Sequence, residues 1–114
     1  MEARADLNQA KKDGTTPLCI ANQNGHVDVV RCLAEAGADL NQAEEDGATP
    51  LHAASQKGHL DMVKYLVEAG ADLNPGNYEG GTPLALARQA GQKKIGAFLK
   101  RAGAMAWFSR QRSV

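Results

Sequence analysis

Apolar residues along the chain fall in short clusters of helical spacing, each ended by glycine and separated by polar stretches. Leu18, Ile20 and Ala21 follow Thr16-Pro17 and stop at Gly25; Val29, Val30, Leu33 and Ala36 follow at i, i+1, i+4 and i+7 and stop at Gly37. Thr16 suits a helix N-cap and Pro17 the first helical position, where its missing N–H removes no bond. The first cluster therefore predicts a helix from about Pro17 to Asn24, and the second a helix from Val27 to Ala36 with Asp28, Arg31 and Glu35 on its outward side. Leu40 to Gly47 is polar and rich in Asn, Asp and Gly, which predicts a hairpin-like loop.

The pattern then recurs. Thr-Pro-Leu stands at 16–18, 49–51 and 82–84, a period of 33, and residues 13–45 match 46–78 at 19 of 33 positions. A third copy, 79–104, keeps Thr82, Pro83, Leu84, Ala87, Gly91, Leu99 and Gly103. Residues 1–12 read as the tail of a truncated preceding copy, because Ala5 to Ala10 repeats Ala38 to Ala43 verbatim, and 105–114 reads as a separate basic and aromatic tail. Stacked helix pairs predict burial of Leu18, Ala21, Val30, Leu33, Leu51, Ala54, Val63, Leu66, Leu84, Ala87 and Leu99. Copy three places Gly96 where Val30 and Val63 stand, and with Gln92, Lys93, Lys94, Lys100 and Arg101 it reads as the polar cap that ends such a stack.

Asp-Gly-x-Thr-Pro-Leu-His-Ala-Ala (46–54) and the run from Gly58-His59 through Gly70-Ala71-Asp72-Leu73-Asn74 resemble an ankyrin repeat, and the resemblance covers residues 3–104. It implies a mostly α fold, a curved solenoid of helix pairs with short β-hairpin loops, and a protein-binding role. It further implies that His26 and His59, equivalent members of a Gly-His element, hydrogen-bond to neighbouring loops. Asn41 and Asn74 stand in the Leu-x5-Asp-Leu-Asn context that resembles the target of asparaginyl hydroxylases; their alternative role is to close the hairpin turn through side-chain bonds.

Length and 43% apolar content fit one small domain, and the longest apolar run, Ala104 to Phe108, is far below the ~20 residues of a membrane span. With no signal-like apolar stretch at the N-terminus and only Cys19 and Cys32, the chain reads as intracellular, cytoplasmic or nuclear, with reduced thiols. The formal charge of zero hides an asymmetry: residues 1–79 carry −7 and residues 80–114 carry +7. Nucleic acid is a minor alternative, through the basic segment Arg88 to Arg112 with Trp107 and Phe108 interleaved.

Catalysis lacks a constellation. His52 is expected to reach the Thr49 hydroxyl and stiffen the turn into its helix. Cys19, Cys32, His26 and His52 lack the paired spacing of a zinc site, and no phosphate-cradling or nucleophile-elbow motif is present, so neither metal, cofactor nor enzymatic activity is expected. A row of exposed positions recurs at the loop tips and first helices, with glutamine constant at 23, 56 and 89 and most of the others differing between copies: Lys11, Lys12, Asp13, Thr15, Gln23 and Asn24, then Glu44, Glu45, Asp46, Ala48, Gln56 and Lys57, then Asn77, Tyr78, Glu79 and Gln89. These predict a concave strip for a protein partner, with Tyr78 as anchor; the competing reading is a solvated surface, with Lys11 and Glu44 paired across repeats. Three further expectations concern the ends. The start in mid-repeat fits an excised or engineered piece of a longer array with no function of its own. Trp107 and Phe108 are expected to fold back over Phe98 and Leu99. If they do not, an apolar front bearing Ile20, Val29 and Cys32 and a basic aromatic back invite head-to-tail or tail-swapped self-association.

Overall fold

The computed structural model describes residues 16–44, 47–73 and 81–112, with 104–112 as backbone. They form six helices: α1 (Pro17–Gln23), α2 (Val27–Glu35), α3 (Pro50–Lys57), α4 (Leu60–Glu68), α5 (Pro83–Gln89) and α6 (Lys93–Arg112). Thr16, Thr49 and Thr82, each in extended conformation, cap the first helix of each pair by accepting from the backbone N–H of Cys19, His52 and Ala85, and proline follows each cap. Each helix from α1 to α5 ends in one way. A glycine of positive φ stands near the terminus, and the residue after it donates to a carbonyl five positions back: His26 to Ala21, Ala38 to Leu33, His59 to Ala54, Ala71 to Leu66 and Gln92 to Ala87.

The first helices α1, α3 and α5 pack side by side in one row and the second helices α2, α4 and α6 in another, each pair joined internally. Between the rows lies a core of Leu18, Ala21, Val30, Leu51, Ala54, Met62, Val63, Leu66, Ala87, Ile95 and Leu99. Leu33 and Leu84, expected inside, are half-buried. Their equivalents one period away, Leu66 and Leu51, are buried on both sides by flanking pairs, whereas among the described residues the first and last pairs have a neighbour on one side only. The loop between α2 and α3 turns through Gly47 N–H to Glu44 O (2.9 Å) and Glu44 N–H to Ala48 O (2.9 Å). No strand forms among the described residues, so the hairpin there is a turn without a ladder.

The end of the chain differs from the sequence expectation. Gly103 occupies the register of Gly37 and Gly70, yet lacks their positive φ, and α6 continues through it to Arg112. Gly37 and Gly70 lead into Ala-Asp-Leu-Asn, which favours a turn; Gly103 leads into Ala-Met-Ala-Trp, which favours helix. Residues 105–112 thus extend the last helix. At 1.5 Å per residue, backbone position 107 stands about 13 Å along the axis from Phe98. The backbone at Trp107 and Phe108 therefore runs on along the helix axis, and does not turn back over Phe98 and Leu99 as expected.

Gly96 is buried inside α6, and a Cβ there would meet Leu84 Cδ1 at 3.8 Å and Arg88 Cγ at 4.0 Å, ordinary contacts. Gly96→Ala is therefore expected to stabilise the domain by ~1 kcal/mol, read as a raised urea midpoint. An unchanged or lower midpoint would mean that the space beside Leu84 is not available.

Candidate binding surface

Hydrogen bonds that span one repeat lock the first helices into a fixed row. The Asn22 amide donates to Pro50 O (2.8 Å), and His59 Nε2 donates to Gln23 O (3.3 Å). One period later, Gln92 Nε2 donates to Gln56 O (3.4 Å), so glutamine does in copy three what histidine does in copy two. A glycine of the preceding repeat faces each of these two side chains, for two reasons. Gly25 has φ +75°, and a Cβ on it would stand 3.1 Å from the His59 ring; Gly58 has φ +85°, and a Cβ would stand 2.8 Å from the Gln92 amide. His26, the equivalent in copy one, is exposed.

His52 does more than the sequence suggested. The Thr49 N–H donates to Nδ1 at 2.9 Å and the Thr49 hydroxyl lies 3.0 Å from the same nitrogen, as expected. That places the proton on Nε2, which donates to Gly81 O at 2.8 Å, in the loop entering α5. The ring is fully buried and ties the cap of one repeat to the backbone of the next. At the tips, the Asp72 N–H donates to Asn41 Oδ1 (2.7 Å) while the Asn41 N–H donates to Asp39 Oδ1 (2.9 Å), so Asn41 bridges two loops.

The strip residues can now be placed. Asn24, Gln56, Lys57 and Gln89 are exposed at the C-terminal ends of α1, α3 and α5, brought into one row by the packing of those helices. Gln23, Glu44 and Ala48 are half-buried. The Gln23 amide donates to Glu44 Oε2 at 3.2 Å, so these two contribute to each other as well as to the surface. Lys11, Lys12, Asp13, Thr15, Glu45, Asp46, Asn77, Tyr78 and Glu79 lie outside the described residues, as do Asn74 and the proposed Lys11 to Glu44 pair.

Cys19 is buried beneath this row and Cys32 is exposed on α2; both are free thiols. Burial pushes the Cys19 thiol above its usual value of 9.0, the charge and hydrogen bond of Glu44 add to the rise, and hydrogen bonds with Thr16 oppose it. The unfolded chain therefore releases this proton first as pH rises past 9, so the unfolded state binds fewer protons there and stability falls with pH. Thermal unfolding is expected to lose stability above pH 9 more steeply in the parent than in Cys19→Ala, and a thiol reagent at neutral pH is expected to label Cys32 quickly and Cys19 only on opening. Parallel pH curves for the two proteins, or equal labelling rates, would contradict this.

The opposite, second-helix face carries features the sequence did not announce. A groove of about 720 Å³ between α2 and α4 is lined by Asp28, Asp61 and Glu68 with Arg31, Lys64 and Tyr65, and Arg31 Cζ stands 5.0 Å from the Tyr65 ring centre. The next groove, between α4 and α6, is basic. The signal was present in the charges 33 apart, but a groove depends on which helices become neighbours. Among the described residues no cluster of His, Cys, Asp and Glu could hold a metal, and no helix is long and apolar enough to cross a membrane.

A family model described as ankyrin repeats (3 copies) matches the chain over residues 1–77 and 41–106. Comparison with curated proteins finds no match.

Proposed function

Because the chain belongs to the ankyrin-repeat family, whose members generally mediate protein–protein interaction and are typically non-catalytic, we propose that it binds a protein partner through the first-helix row and adjoining loop tips. The observation that carries this reading is the alignment of the exposed Asn24, Gln56, Lys57 and Gln89 in one row, where a glutamine shared by all three copies stands beside a position that changes from Asn24 to Lys57 to Ala90, above a backbone fixed by bonds from His59 and Gln92. A rigid row lowers the ordering cost of binding. Tyr78 and Glu79, which lie outside the described residues, are proposed members of the surface from the sequence alone. Asn41 and Asn74 remain proposed hydroxylation positions; the bridge from Asn41 to Asp72 supports a turn-closing role for the first of them. Two free thiols support a reducing, intracellular setting. The test is affinity capture with the parent, with Gln56→Arg/Lys57→Glu and with Arg31→Glu on the opposite face. Loss of a captured protein only in the first variant is expected; equal capture by both variants would overturn the reading.

A second reading, head-to-tail self-association, is supported by the front of the stack. Val29 is 48% exposed, although its equivalents Met62 (0%) and Ile95 (2%) are covered by the preceding helix pair, and Ile20 on α1 is 38% exposed. At the other end Arg88, at the register of the buried Asn22 and Ser55, is exposed and cationic. Light scattering that rises with concentration at low salt, and is abolished by Val29→Lys, is expected. A strictly monomeric parent at high micromolar concentration would remove this reading.

A further inference from the structure

We propose that the groove between α4 and α6 is a second docking site, for an acidic protein segment that carries a bulky aliphatic side chain. Its rim is Lys64, Lys94 and Arg101, all exposed, and its floor is Leu60, Ala97 and Phe98; among the described residues no carboxylate lines it. The charge is a reversal within the repeat. Lys94 takes the register of Asp28 and Asp61, and Arg101 that of Glu35 and Glu68, so the same outward positions are acidic on α2 and α4 and basic on α6. The floor changes too. Phe98 holds the register of Tyr65, but among the described residues no cation covers the Phe98 ring as Arg31 covers Tyr65.

Size and surroundings select the occupant. At about 280 Å³ and open to solvent, the groove lies at or below the lower limit of the ~300–1,000 Å³ enclosed pockets that take small molecules. It has room for one branched side chain resting on Phe98 and Leu60, with carboxylates alongside on the rim. A long polyanion is disfavoured, because one helix spacing away, ~10 Å, the neighbouring groove presents Asp28, Asp61 and Glu68. A nucleic-acid strand or an anionic bilayer running along the face would meet those acids; a short acidic segment would not. The site is separate from the first-helix row, which lies in the other helix layer, so the two readings stand or fall independently.

The test uses fluorescence polarisation at low salt with a labelled peptide Glu-Glu-Leu-Glu-Glu-Leu-Glu-Glu, its Leu-to-Ser counterpart, a single-stranded oligothymidine, and co-sedimentation with phosphatidylserine vesicles. The Leu peptide is expected to bind the parent, to weaken about tenfold or more in Lys94→Glu/Arg101→Glu, and to weaken with added salt. Binding is expected to fall for the Ser peptide and to be unchanged by Gln56→Arg/Lys57→Glu. Circular dichroism of the exposed-site variants checks that they remain folded. The proposal is overturned by no binding at ~1 mM peptide, by equal binding of the charge-reversed protein or of the Ser peptide, by loss of binding in the Gln56/Lys57 variant, or by tighter binding of the oligonucleotide or vesicles through Lys94 and Arg101.

Discussion

Leu66→Ala is expected to cost ~2–5 kcal/mol of folding stability. Leu66 is fully buried in α4, in the central pair, where the core residues of all three pairs meet. The adjacent Val63 and Met62 are equally enclosed, so the surroundings have little freedom to close the void. Each helix pair relies on its neighbours to cover an apolar face, so a loss in the middle weakens both interfaces at once. Against a typical total of ~5–15 kcal/mol, such a change removes a large share of the stability. Urea unfolding followed by circular dichroism measures it. A loss below ~1 kcal/mol would mean that the central pair is not packed as described.

His52→Ala is expected to cost ~2–4 kcal/mol, although it removes no large apolar side chain. Deleting the ring removes its bonds to the Thr49 N–H and the Gly81 carbonyl and opens a void where a fully buried side chain stood. Replacement by Gln separates the two contributions: it can restore part of the bond to Gly81 but not the planar bridge, so an intermediate loss is expected. The same bond joins α3 to the loop entering α5, and hydrogen exchange in α5 is expected to quicken in His52→Ala more than in Gly96→Ala. Equal stability of His52→Ala and the parent would show that the bridge between repeats contributes nothing.

Much of this architecture was legible because repetition makes local signals redundant. Thr-Pro marks the start of each first helix, and glycine followed by a six-residue closure marks each end; three copies in register leave little room for another fold. The Thr49 to His52 contact was readable for the same reason, since its partners are three residues apart. What escaped depends on stacking. The second bond of His52 reaches Gly81, Asn22 reaches Pro50 and Asn41 reaches Asp72, each about one period away, and nothing local in the sequence specifies those distances. Leu33 and Leu84 satisfy the core pattern as well as Leu66 and Leu51 do, yet they lie at the two ends of the described stack and stay half-buried. The continuation of α6 was missed because Gly103 repeats the breaker of earlier copies while the residues after it no longer supply a turn.

The binding row is open to a direct measurement. A photo-crosslinking residue is placed in turn at position 56 on α3, at position 89 on α5 and, as a control on the second-helix face, at position 31 on α2, all exposed sites. Cross-linked proteins from cells expressing each variant are then identified by mass spectrometry. One common partner recovered from positions 56 and 89, and absent from position 31, is the expected result. Recovery of no shared partner from 56 and 89, or of the same partner equally from 31, would contradict binding through the first-helix row.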